Sequence, residues 1–188
     1  MRKRRQEINI LRELFSYIKL IVIAVIIALL LNRYVMLNAH IPTGSMKNTI
    51  NEEDYIFCLR ASYWFSEPKR GDIIVFLYPD NHDEMFIKRI IGEPGDVVEI
   101  VTINTGVESR KVVRVNGKEL TENYLAEPMN PTKEDATYIV PADSYFVLGD
   151  NRNNSKDSRY WEDTFVERDE ILAKAIFRYY PSVKYYTD

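Results

Sequence analysis

The hydrophobic pattern of the chain changes character near residue 38. From Leu14 to Leu37 almost every position is apolar, with an unbroken core from Leu20 to Leu31 and no charged face recurring at helical period. A stretch of this length can cross the ~30 Å of bilayer hydrocarbon as a helix. Lys19 can snorkel toward one interface, and Asn32, Arg33 and Tyr34 suit the other. A cleaved signal peptide shares the charged front and the apolar run. Its small-residue cleavage site, however, is missing from the polar-aromatic exit, and Asn38-Ala39-His40 matches one poorly.

Beyond residue 38 the apolar positions fall into short runs punctuated by Gly, Pro, Asn and Asp. Tyr55–Leu59, Ile73–Tyr78, Met85–Ile91, Val97–Ile103, Lys111–Val115, Tyr138–Val140, Tyr145–Leu148 and Ile171–Tyr180 read as strands. Asn116-Gly117 is a two-residue hairpin signal. No amphipathic helical repeat of useful length appears. The pattern therefore predicts a mainly β protein: one N-terminal transmembrane helix followed by an all-β domain. The expected division is a basic tail at 1–13, an anchor at 14–37 and a β body at 38–188, of which about 97–145 forms a smaller, hairpin-rich inserted part.

Charge refines this picture. The chain of 188 residues has a formal net charge of −3, yet its first 13 residues hold five basic side chains against two acidic ones, so +3 at the front leaves −6 for the rest. An acidic body lacks the basic footprint of a nucleic-acid-binding protein. The Arg2–Arg5 cluster before the span predicts a cytoplasmic N-terminus and an extracytoplasmic body. One cysteine, Cys58, excludes an internal disulfide and a cysteine metal cluster, two histidines leave little room for a histidine-based metal site, and no metal is expected.

Two residues carry the candidate chemistry. Ser45 follows the span in Ile41-Pro42-Thr43-Gly44-Ser45-Met46, and a serine needs a base to become a nucleophile. No motif marks His40 or His82. Lys88 stands in an apolar strand whose period of two places Phe86, Lys88 and Ile90 on one face. Such a lysine either snorkels outward or is desolvated, and desolvation lowers its pKa toward that of a neutral base.

The Ser45 stretch, then Arg70-Gly71-Asp72-Ile73-Ile74-Val75-Phe76, Ile87-Lys88-Arg89-Ile90-Ile91-Gly92-Glu93-Pro94-Gly95-Asp96 and Gly149-Asp150-Asn151-Arg152-Asn153-Asn154-Ser155-Lys156-Asp157-Ser158-Arg159 resemble, in order, four sequence boxes of bacterial type I signal peptidases. The Val115–Leu120 hairpin is similar too. The resemblance implies a membrane-anchored serine endopeptidase that removes signal peptides from exported preproteins after a small-x-small motif. It implies Ser45 as nucleophile, Lys88 as general base, Thr43 and Ser45 as oxyanion hole, and Ser155 as the residue orienting Lys88. Ile41, Pro42, Met46, Phe86 and Ile87 match pocket-lining positions, and Arg89, Asp150, Asp157 and Arg159 match supporting ion pairs.

Expected partners are signal peptides, the lipid bilayer and the neighbourhood of the translocation machinery. No cofactor is expected. A Ser/Lys protease dedicated to one pilus or conjugation precursor, and a non-catalytic assembly scaffold, are the alternatives. The sequence departs from the family pattern at Thr43, where serine is usual, at Asn48, where proline is common, and at Glu162, where glycine is common.

Overall fold

The computed structural model describes residues 2–104, 106, 109–131 and 134–186, with side chains described from residue 12 onward. The chain divides into two compact units, Met1–Met36 and Leu37–Asp188. The first is a single helix, α1 (Arg2–Leu30), continued by one wider turn at Leu31–Val35. Helical backbone thus begins well before the apolar stretch and stops short of Leu37, because Met36 already has extended backbone. The apolar part, Arg12–Val35, measures about 36 Å at 1.5 Å per residue and is long and apolar enough to cross a membrane.

The second unit is built from strands and single 3-10 turns, with no α-helix among its described residues. Its strands are β1 (Met36–His40), β2 (Tyr55–Leu59), β3 (Ile73–Tyr78), β4 (Asn81–Gly92), β5 (Val97–Asn104), β6 (Ser109–Val115), β7 (Lys118–Glu119), β8 (Ala136–Ile139), β9 (Ser144–Leu148), β10 (Val166–Glu167), β11 (Ile171–Tyr180) and β12 (Lys184–Tyr185). One sheet runs β1-β2-β11-β3-β4-β9-β10, with β12 added to β11. The other runs β7-β6-β5-β8. The mainly β prediction holds.

Both faces of the larger sheet are covered, which is why β3 reads as a continuous apolar run rather than an alternation. Ile73 and Val75 join one core with Met46, Ile50, Ile56 and Cys58. Ile74, Phe76 and Tyr78 join another with Ile90, Tyr145, Val147 and Trp161 on the opposite side. A third core packs Ile91, Phe146 and Leu148 against Val98, Ile100, Val113 and Val115 of the smaller sheet. Cys58 is buried in the first core, which pushes its thiol up to about 12.

The Asn116-Gly117 turn forms as its sequence predicts. Both residues have positive φ, 53° and 77°, the two-residue geometry that matches strand twist between β6 and β7. The consecutive aromatic residues Tyr63-Trp64-Phe65 divide: Tyr63 is buried, its hydroxyl donating to Asp72, while Trp64 and Phe65 are exposed.

Most relevant to function is the open edge of β4. Its residues 89–92 pair with β9, but its earlier residues pair only with β3. One backbone edge of Glu84–Lys88 therefore remains available for another strand.

Candidate active site

The open part of β4 faces the segment that runs from β1 to Ser45, and between them lies a cleft of about 670 Å³. Ile41, Pro42, Thr43, Ser45, Phe86, Ile87 and Lys88 all line it. Ser45 occupies a 3-10 turn, Gly44–Met46, that follows extended backbone at Thr43. The turn is fixed from outside: the Ser45 carbonyl accepts from the Asn151 N–H (3.0 Å), and the Asn151 amide donates to the Gly44 carbonyl (3.0 Å).

Lys88 Nζ donates to Ser45 Oγ over 2.8 Å and to the Ile87 carbonyl over 2.9 Å. The lysine is only 4% exposed and the serine 9%. Burial is the main influence on this amine and lowers its pKa to about 8, while the Asp157 and Asp150 carboxylates pull it back upward. The Nζ also lies 5.2 Å from the Phe86 ring centroid, as expected for two side chains on one strand face. Of the two fates open to Lys88, desolvation is the one observed. Neither histidine serves Ser45, since His40 pairs with Glu53 and His82 with Glu170.

Around the pair, buried charges are neutralised by forked contacts. Arg89 donates from Nε and Nη2 to the two oxygens of Asp150 (2.9 and 2.8 Å), and Arg159 does the same to Asp157 (2.7 and 2.9 Å). These bidentate pairs fix orientation as well as charge. Asp157 also accepts from the Gly149 N–H, and Asp150 from the Thr49 hydroxyl. The four residues assigned to supporting ion pairs thus do pair, and they brace the loop beside Lys88.

Two residues differ from expectation. Met46 does not line the cleft; it is fully buried in the first core, with its sulfur accepting from the Asp150 N–H, because successive side chains of the 3-10 turn Gly44–Met46 point in different directions. Ser155 makes no hydrogen bond to Lys88. Its buried hydroxyl has no hydrogen-bond partner among the described residues and packs against Gly149, while Lys88 directs its contacts to Ser45 and Ile87.

Arg152 and Tyr124 were given no role from sequence, and the three departures from the family pattern, Asn48, Thr43 and Glu162, each find a place. Arg152, fully buried, donates to both oxygens of Glu122 and to the Gly149 carbonyl. The Arg89 guanidinium lies 4.0 Å from the Tyr124 ring centroid. Asn48 has φ of 82°, which a proline ring, fixed near −65°, could not adopt. Thr43 lines the cleft beside Ser45 in extended backbone, and Glu162 is exposed, its N–H donating to Asp80.

A buried serine hydroxyl bonded to a desolvated lysine at the wall of an apolar cleft can perform nucleophilic acyl transfer. Comparison with known proteins points the same way. A family model described as signal peptidase, peptidase S26, matches residues 14–180. A probable signal peptidase I-2 of Synechocystis is 43% identical over 87% of this chain and 72% of its own. Signal peptidase I of Leptolyngbya laminosa is 41% identical, with 89% and 80% covered, and that of Bacillus amyloliquefaciens 30% identical, with 96% of both covered.

Proposed function

Since the chain belongs to the signal peptidase family, peptidase S26, we propose that it cuts signal peptides from exported preproteins with a Ser45/Lys88 dyad. Removal of signal peptides by a serine endopeptidase follows from the family and its named members. The observation that carries the dyad is the 2.8 Å bond from Lys88 to Ser45 in a buried setting that favours the neutral amine.

In the first half of the reaction Ser45 Oγ attacks the scissile carbonyl while Lys88 takes its proton. The oxyanion is met by the Ser45 N–H and the Thr43 hydroxyl. Collapse breaks the C–N bond, and Lys88 returns the proton to the leaving amine, which is the new N-terminus of the mature protein. In the second half a water molecule, deprotonated by Lys88, attacks the ester. The signal peptide leaves with a carboxylate, and Ser45 recovers its proton.

Substrate selection follows from the cleft. A peptide added along the open edge of β4 directs residues one and three before the cut to the same face, since strands have period two. Ile41, Pro42, Phe86 and Ile87 line the cleft, with Phe86 and Ile87 on opposite faces of β4, and these apolar walls favour small side chains.

The enzyme is membrane-anchored through α1. The basic front of the chain supports a cytoplasmic N-terminus and a catalytic unit outside it, near the translocation machinery. Confinement of enzyme and preprotein to one bilayer raises their effective concentration.

The test is incubation of the purified full chain with several unrelated preproteins, followed by N-terminal sequencing of the products. We expect each to be cut after its small-x-small motif, with cleavage abolished when the residue before the cut is made Phe. Cutting of a single preprotein, or tolerance of Phe, would contradict this substrate reading.

A further inference from the structure

The turn after Ser45 is held on one side by Asp150, through the Thr49 hydroxyl. A second, separate attachment comes from Asn48, outside the four sequence boxes' charged pairs. Its Nδ2 donates one proton to the Tyr124 carbonyl (3.1 Å) and the other to the Leu125 carbonyl (3.2 Å). Both donors of one amide are thus spent on consecutive carbonyls of the connection between β7 and β8. The Asn48 backbone that presents this fork has a left-handed φ of 82°.

The same connection also touches the base's strand. The Tyr124 ring stacks under Arg89, the neighbour of Lys88, and its hydroxyl donates to Glu122, which holds Arg152. The Ala126 N–H donates to the Asp150 carbonyl (3.2 Å). The Tyr124–Ala126 segment therefore grips the nucleophile's turn through Asn48 and the base's strand through Arg89, forming a bracket across the dyad.

Resting on the Ser45/Lys88 reading, we propose that Asn48 is a positioning residue: its left-handed backbone and forked amide set the Ser45 turn at bonding distance from Lys88. Asn48 touches neither reacting atom and acts through Tyr124 and Leu125. It is exposed and lies outside the cores, so its loss should affect geometry more than folding.

Asn48→Gly keeps the left-handed backbone and deletes the fork. The prediction is a three- to tenfold lower kcat on a small-x-small preprotein, by analogy with the sensitivity of catalysis to misplacement at about the 1 Å level. KM should stay within about twofold and the thermal midpoint within a few degrees of the parent. Asn48→Asp also tolerates this backbone but sets a carboxylate against two carbonyl oxygens, and it should lose more kcat than Asn48→Gly. Parental kcat in both variants, or a loss carried by KM or by unfolding, would overturn the role of Asn48. Activity persisting in Ser45→Ala would instead overturn the dyad, so the two failures are distinguishable.

Discussion

Lys88→Met is expected to lower preprotein processing by at least about 10³-fold while leaving the protein folded, the scale on which loss of a general base or nucleophile acts. Met retains most of the lysine's length and apolar stem but cannot accept a proton from Ser45. In this structure no histidine is placed to substitute, because His40 and His82 are each engaged with a glutamate. Burial disfavours the charged form of Lys88, so an apolar replacement should unfold at the same temperature or higher. Quantifying cleaved preprotein alongside thermal unfolding separates chemistry from folding. Processing within about tenfold of the parent would remove Lys88 from the mechanism, and Ser45→Ala carries the same expectation for the nucleophile.

Gly149→Ala should also be damaging, though less so, for a steric reason. A Cβ at Gly149 would stand 2.5 Å from the Ser45 carbonyl oxygen and closer still to the Ser155 hydroxyl. The glycine cannot retreat, because its N–H is held by Asp157 and its carbonyl by Arg152. Ser45 or Ser155 must then move. A displacement near 1 Å at the nucleophile costs about 10²-fold in rate, and overpacking of this kind costs about 1–3 kcal/mol in stability. Steady-state kinetics with a thermal melt would show both, and a parental kcat would contradict the packing argument.

How much of this was legible in the chain depends on where each signal resides. Strands such as β3 and β11 are long enough, and apolar enough on their buried faces, to be read directly from residue type. The first two residues of β1, Met36 and Leu37, read as anchor because they continue its apolar run; only backbone geometry separates them. The two-residue strands β10 and β12 carry no periodicity at all.

Within the site, the positions of Ser45 and Lys88 were marked by ordered boxes, and the structure brings the two together across 43 residues of sequence. Met46 and Ser155 were assigned from the same boxes, but side-chain direction depends on the local turn and on what packs opposite. The Asn48 fork was invisible for a plainer reason. Its acceptors are backbone carbonyls 76 and 77 residues away, which leave no trace in side-chain chemistry.

The dyad makes one demand that can be measured directly: Lys88 must be neutral to take the Ser45 proton. The neutral fraction grows as pH rises through its pKa, so kcat/KM on a small-x-small peptide should rise with pH and reach half its plateau near pH 8. A rise that begins only around 10.5, the ordinary lysine value, would contradict a desolvated Lys88 base.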